Sequence, residues 1–418
     1  MKKKIVTILC LSSLLLVACG NATNTTTIQT TNDEVITANV VTTTEDSVAD
    51  SDEVDLLLDT ENGTLQSNEI ELSDVEVKQV EPLSYQTYLE YMLNQREPNT
   101  NAIFSSESLN SAFAIYAELL DTPNKEMFKA YLRNKDYLAY KSIDGLSIIN
   151  RLWVNELKDF TLTRGPLVDK DIIYMMDMSD SAQATEFKNQ FVSDSTHGFI
   201  TETPTVFDKN TFVDAMNIIY FKSKWVGGEK TLCDGLKEFE NEDGSISQVE
   251  MFCDFGDYIA KTKTATAYKM NYENGMSFVA ILPNEEYTLT DVNIDDFINN
   301  NVEYEDADVY AEFPKFEAES TYIASFDTFN LPLNPPFKEG LTICDTEPPL
   351  ISQIAKIKFD NEGTEATAVT EIVKSDSMAM VEPKPHYDFL ANKPFIYYIQ
   401  DCENDDIAFI GVVSNLSE

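Results

Sequence analysis

The chain has 418 residues, 72 of them acidic and 30 basic, for a formal net charge of −42. So negative a surface argues against nucleic acid and against charge-driven binding to anionic lipid; it suits cationic partners or plain solubility. With two histidines only, His197 and His386, and no G-x-S-x-G, H-E-x-x-H or phosphate-cradling glycine loop, nothing marks a catalytic set, and no metal or cofactor is expected.

The chain opens M-K-K-K-I-V-T-I-L-C-L-S-S-L-L-L-V-A-C-G: a basic start, an apolar run too short for a stable span, and small residues before a cysteine. That pattern is a secretory signal. Leu16, Val17, Ala18 and Cys19 match a lipobox, so residues 1–18 are expected to be removed and Cys19 to carry lipid, anchoring the protein at a bacterial cell surface. Loss of Lys2, Lys3 and Lys4 leaves 27 basic residues against 72 acidic ones, a mature charge of −45. Residues 19–80 are rich in Thr, Asn, Asp and Glu with almost no apolar periodicity. They are expected to form a disordered tether with a reach of roughly 40 Å.

Residues 81–418 are the folding part. Apolar spacing predicts helices over 84–94, 108–120 and 185–194. Strands are predicted over 147–154, 212–221, 276–282 and 309–316, and a C-terminal hairpin turns at 403–406. Helices early and strands late, without steady βαβ alternation, predict an α+β fold. Asp291, Asn293 and Asp295 have the D-x-N-x-D start of a calcium loop, but its glycine is missing and the twelfth position is Val302, so this is a solvated turn. Trp153 and Trp225 are core residues. Of the cysteines, Cys10 leaves with the signal and Cys19 carries lipid. Cys233, Cys253, Cys344 and Cys402 lack metal-ligand spacing and read as idle thiols, with a Cys233–Cys253 disulfide left open in an exported protein.

Residues 361–380 read N-E-G-T-E-A-T-A-V-T-E-I-V-K-S-D-S-M-A-M. Alternation places Thr364, Ala366, Ala368, Thr370 and Ile372 on one small, buriable face. The segment is either an edge strand or a strand that arrives late. Followed by K-P-F at 393–395 and F-I-G-V-V-S-N at 409–415, it resembles the reactive loop and C-terminus of a serpin. Other landmarks resemble that family in the same order: N-A-I-F-S-S-E-S-L-N-S-A-F-A at 101–114, N-I-I-Y-F-K-S-K-W at 217–225, G-M-S-F-V-A-I-L-P at 275–283 and F-P-K-F at 313–316.

The resemblance implies three β-sheets with surrounding helices and an exposed reactive loop. It implies a suicide inhibitor of extracellular serine proteases: the protease cuts the loop, is held as an acyl ester, and is carried along as the freed segment inserts into the main sheet. It makes Gly363, Thr364, Glu365, Ala366 and Ala368 the hinge, and Ser105, Ser108, Asn217 and Trp225 the shutter and breach. Counting fourteen residues on from Gly363 puts the reactive bond between Ser377 and Met378, which suits an elastase- or subtilisin-like enzyme, with Lys374 (implying a trypsin-like target) or Met380 as second choices. A monomer is expected. The alternative is a non-inhibitory serpin that is merely cleaved or binds a surface partner. Departures from the family pattern include Ser106 where a Pro is usual, Lys374 and Asp376 on the inserting face, and Gln353 where a histidine is customary.

Overall fold

A computed structural model describes residues 26–29, 35–38, 82–139, 143–158, 160–162, 164–203, 205–298, 301–324, 326–329, 351–364, 384–403 and 406–417. The chain divides into two units, 1–80 and 81–418. In the first, Thr26–Gln29 and Val35–Ala38 pair as an antiparallel ladder. Order here departs from the tether predicted throughout; β-branched Thr, Ile and Val supply the strand preference. The signal, Cys19 and the rest of the tether lie outside the described residues.

In the second unit the principal helices are α1 (Tyr85–Gln95), α2 (Ser106–Ala117), α3 (Thr122–Tyr131) and α4 (Ser181–Ser195). Each begins where a side-chain oxygen caps it: Ser84, Ser105, Asp121 and Asp180 accept from the N–H three residues on. The cap at Ser105 starts α2 two residues before apolar spacing shows it. Helix α3 is invisible to periodicity because Phe128 is its only buried side chain.

The strands that matter below are β1 (Ala102–Phe104), β2 (Leu146–Asn155), β3 (Ile173–Met176), β4 (Val213–Phe221), β5 (Ser223–Lys224), β6 (Met251–Lys261), β7 (Ala265–Asn271) and β8 (Met276–Pro283). They continue as β9 (Glu305–Pro314), β10 (Phe316–Ala324), β11 (Ile351–Phe359), β12 (Gly363–Thr364), β13 (His386–Leu390), β14 (Phe395–Asp401) and β15 (Asp406–Val413). Three main sheets result. A nine-stranded sheet runs β13-β9-β6-β7-β8-β14-β15-β1, with Thr231–Leu232 also paired to β6. A three-stranded sheet runs β3-β2-β4, and a four-stranded one β10-β11-β12-β5. With their covering helices they make the α+β fold expected. The run 309–316, predicted as one strand, is split at Lys315 between β9 and β10 in different sheets. Pro314 ends β9, having no N–H with which to extend the ladder.

Three apolar clusters hold these layers. Tyr88, Phe113 and Phe128 of α1–α3 pack with Val279 and Tyr398 of the nine-stranded sheet. Phe278 and Phe313, also of that sheet, meet Trp225 and Phe359. Helix α4 covers β2 and β4 through Val192, Trp153 and Met216. The calcium-like turn is consumed internally: the Asp291 carboxylate accepts from Thr288, and that of Asp295 from the Tyr85 and Gln86 N–H groups at the start of α1. Cys233 and Cys253 form a disulfide, with Cα atoms 5.9 Å apart, which corrects the idle-thiol reading: Thr231–Leu232 lies beside β6 and brings the two together. Cys402 is free.

Candidate functional site

Strands β4 and β11 run alongside each other yet belong to different hydrogen-bonded sheets. The top of the seam between them is closed by two residues. Gly363 pairs with Lys224, and Thr364 pairs with Ser223 on one side and Phe359 on the other. The segment D-N-E-G at 360–363 turns tightly: Asp360 Oδ1 accepts from the N–H groups of Glu362 (2.9 Å) and Gly363 (3.3 Å). Gly363 then sits at φ 150°, and a Cβ there would lie 2.2 Å from the Ser223 carbonyl oxygen. Only glycine combines that torsion with that approach.

Thr364 is buried, 2% exposed, and its hydroxyl is 2.7 Å from the Tyr272 hydroxyl. Burial pushes the Tyr272 pKa well up, so the pair remains a neutral hydrogen bond. Trp225, fully buried, stacks on Tyr272 with centroids 4.4 Å apart and meets Phe359 edge-on. Its indole N–H donates to the Asp360 carbonyl at 3.0 Å and its backbone N–H to that of Glu362 at 3.3 Å. Lys230 N–H donates to the Asn361 carbonyl at 2.7 Å. The start of the loop is thus tied along its length to the segment 223–230.

Lower in the seam, Gln353 on β11 grips the N-terminus of α2. Its Oε1 accepts from Ser105 N–H (2.8 Å) and its Nε2 donates to the Ser105 carbonyl (2.7 Å). The Ser105 hydroxyl donates to the Ala408 carbonyl and accepts from Ser108 N–H. The Ser108 hydroxyl donates to the Asn217 carbonyl at 3.4 Å. Asn217 Nδ2 donates to Asn150 on β2 at 2.8 Å, while its Oδ1 is buried with no partner among the described residues. Val192, Met216, Asn217, Ile218 and Ile354 line a cavity of about 20 Å³ here, between β4, β11 and α4.

The structure therefore brings Ser105, Ser108 and Asn217 into one network and Gly363, Thr364 and Trp225 into another. Glu365, Ala366, Ala368, Ser377 and Met378 lie outside the described residues. His386 is the first residue of β13, where the ladder with β9 begins at Asp308. Sequence reasoning missed Tyr272, which has no local signal, and Asp360, whose D-N-E-G turn was legible. It noticed Gln353 only as a departure.

A family model described as serpin (serine protease inhibitor) matches residues 84–416. Leukocyte elastase inhibitor A of Rattus norvegicus is 25% identical over 368 residues, covering 77% of this chain and 95% of the relative. Among solved structures, the thermophilic serpin tengpin in its native state aligns with a TM-score of 0.64 at 21% identity, over 79% of this chain and 92% of tengpin. An Arabidopsis serpin in its native stressed conformation gives the same TM-score and identity, over 79% and 96%. The chain belongs to the serpin family.

Proposed function

We propose that this serpin is a lipid-anchored suicide inhibitor of extracellular serine proteases, acting at the bacterial surface as a monomer tethered through Cys19. The observation that carries the reading is β12: Gly363, which ends the 360–363 turn, and Thr364 after it already occupy a strand position between β5 and β11. A segment that continues from Thr364 with small side chains at alternate positions has a seam prepared for it, with the unpaired Asn217 Oδ1 and a small cavity on its path. In the proposed sequence the protease serine Oγ attacks the Ser377 carbonyl. The bond to Met378 breaks, its nitrogen leaving with a proton, and an ester to Ser377 remains. Residues 365–377 then enter the seam, drawing the esterified protease with them. The elastase-inhibitor relative and the uncharged Ser377, Met378 and Ala379 favour an elastase- or subtilisin-like target. The substrate-like alternative is favoured by Lys374 and Asp376, whose charges oppose complete insertion.

Incubation with elastase, subtilisin and trypsin in turn should yield a band at the summed mass that survives boiling in detergent; cleavage products alone reject the reading. Thr364→Arg should convert inhibitor to substrate, since a buried charge at this position costs several kcal/mol. Because Thr364 is already seated on Tyr272, this variant should also release the hinge in the uncut protein, seen as earlier amide exchange at 360–364.

A further inference from the structure

Among the described residues, one cluster offers ligands for a soft metal: a sulfur each from Cys233 and Cys253 and a carboxylate oxygen from Glu312, all within 4.8 Å of one another. The ladders through β6 put them there. Cys253 on β6 is paired with Glu312 on β9 and, on its other side, with Thr231. Cys233 follows Thr231–Leu232, and its N–H donates to the Met251 carbonyl at 2.8 Å. Opposed residues share a face of the sheet, and Tyr310, two residues before Glu312, shares it too. The Tyr310 hydroxyl donates to Glu312 Oε1 at 2.7 Å and lies 3.2 Å from Cys253 Sγ. Lys237 Nζ lies 3.6 Å from the same carboxylate. Spacing along the chain hides this cluster, because the third ligand comes from a different strand.

We propose that, once its disulfide is reduced, this cluster binds a thiophilic divalent metal such as Zn(II), which replaces the disulfide as the link between Thr231–Leu232 and β6. Zinc takes two thiolates and a carboxylate, whereas calcium and magnesium want oxygen alone. Bonds of ~2.3 Å to sulfur and ~2.0 Å to oxygen set tetrahedral edges of about 3.5–3.8 Å. The carboxylate therefore closes in while the sulfurs, no longer bonded, part. The three groups are half-buried, so water can take the fourth position. Two thiolates, a carboxylate and Zn(II) sum to a single negative charge, which Lys237 stands beside to balance. Tyr310 orients the carboxylate through its hydrogen bond. A dithiol closes the electron balance: it gives two electrons and two protons to the pair and leaves as its own disulfide, and the metal displaces those protons to water. The link reaches the hinge, because Lys230 pairs with Asp254 at 2.8 Å and donates its N–H to the Asn361 carbonyl.

The test uses the full chain, reduced with a dithiol and desalted under nitrogen, with Zn(II) and Co(II) as probes. The reduced parent should retain about one Zn(II) per chain that the oxidised parent does not, and Co(II) should give the charge-transfer absorbance of thiolate ligands. Cys402→Ser should leave both signals unchanged, and Cys233→Ser should abolish both. Glu312→Gln keeps the disulfide, so its fold is verified in the oxidised state; reduced, it should bind Zn(II) at least about 10-fold more weakly. Zn(II) should also raise the denaturant midpoint of the reduced parent and leave that of the oxidised parent unchanged. The proposal is overturned if the reduced parent retains no metal, if Cys233→Ser retains as much as the parent, if Cys402→Ser loses it, or if Glu312→Gln binds within about 2-fold of the parent. Equal stabilisation of the oxidised protein also overturns it, since that marks binding to acidic surface alone.

Discussion

At Gln353 a single side-chain amide joins β11 to the first residues of α2 through two short hydrogen bonds. Ser105 N–H has no other partner in the network described, whereas its carbonyl also accepts from Leu109 N–H. Gln353→Leu therefore strands one buried donor, at a cost of about 1–3 kcal/mol. A melting point lowered by about 2–6 °C is expected, with faster opening of the seam as read by amide exchange at 351–359. An unchanged melting point rules out this bond as a brace. A customary residue is absent here, but the task of gripping α2 is still performed. One amide offers a donor and an acceptor at once, and the backbone of Ser105 presents both. That substitution could be noticed in the sequence; its geometry could not, because strand and helix lie 248 residues apart.

The elements around the seam are held by bonds of different kinds. Helix α4, which lies over β2 and β4, is pinned by Lys188. Its ammonium is fully buried, donates to Thr205 Oγ1 and the Thr205 carbonyl at 2.7 Å, and lies 3.2 Å from Asp214. Desolvation lowers the Lys188 pKa, with Asp214 acting in the opposite sense. On the other flank the disulfide Cys233–Cys253 closes a span of 20 residues onto β6. Cys233→Ser should lower stability by about 3 kcal/mol through the freer unfolded chain, measured by denaturant melts of the parent with and without reductant. Equal midpoints under both conditions contradict it. Spacing alone left this pairing open, since twenty residues admit many separations; the ladder between Thr231–Leu232 and β6 set the distance.

For the whole molecule two tests address what the fold stores. If loop residues 365–377 enter the seam after cleavage, the cut protein should melt at least about 10 °C above the intact one, because a central strand adds both ladder bonds and buried surface. Identical melting points reject insertion. The second test concerns alkali. Burial pushes Tyr85, Tyr304 and Tyr322 up to about 12. A tyrosine whose folded pKa is raised contributes nothing to pH dependence below 10. Above it the unfolded chain ionises and the folded one does not, so stability falls by about 1.4 kcal/mol per pH unit for each until pH 12. The tyrosinate absorbance lost when Tyr85, Tyr304 and Tyr322 are replaced by Phe, and the loss of circular dichroism in the parent, should therefore rise together between pH 10 and 12. Appearance of that difference well before unfolding contradicts the burial.

The sequence by itself determined the class of fold, the family and the small-residue stretch after Gly363, because alternation, caps and motif order are written locally along the chain. It also named Ser105, Ser108, Asn217 and Trp225 as positions to watch. Tertiary structure alone decided that Tyr272 receives Thr364, that Asp360 receives the Trp225 indole, and that β4 and β11 meet without forming a common ladder. Those facts depend on strands distant in sequence arriving at one register. No local preference encodes such distances; packing of the apolar clusters against one another does.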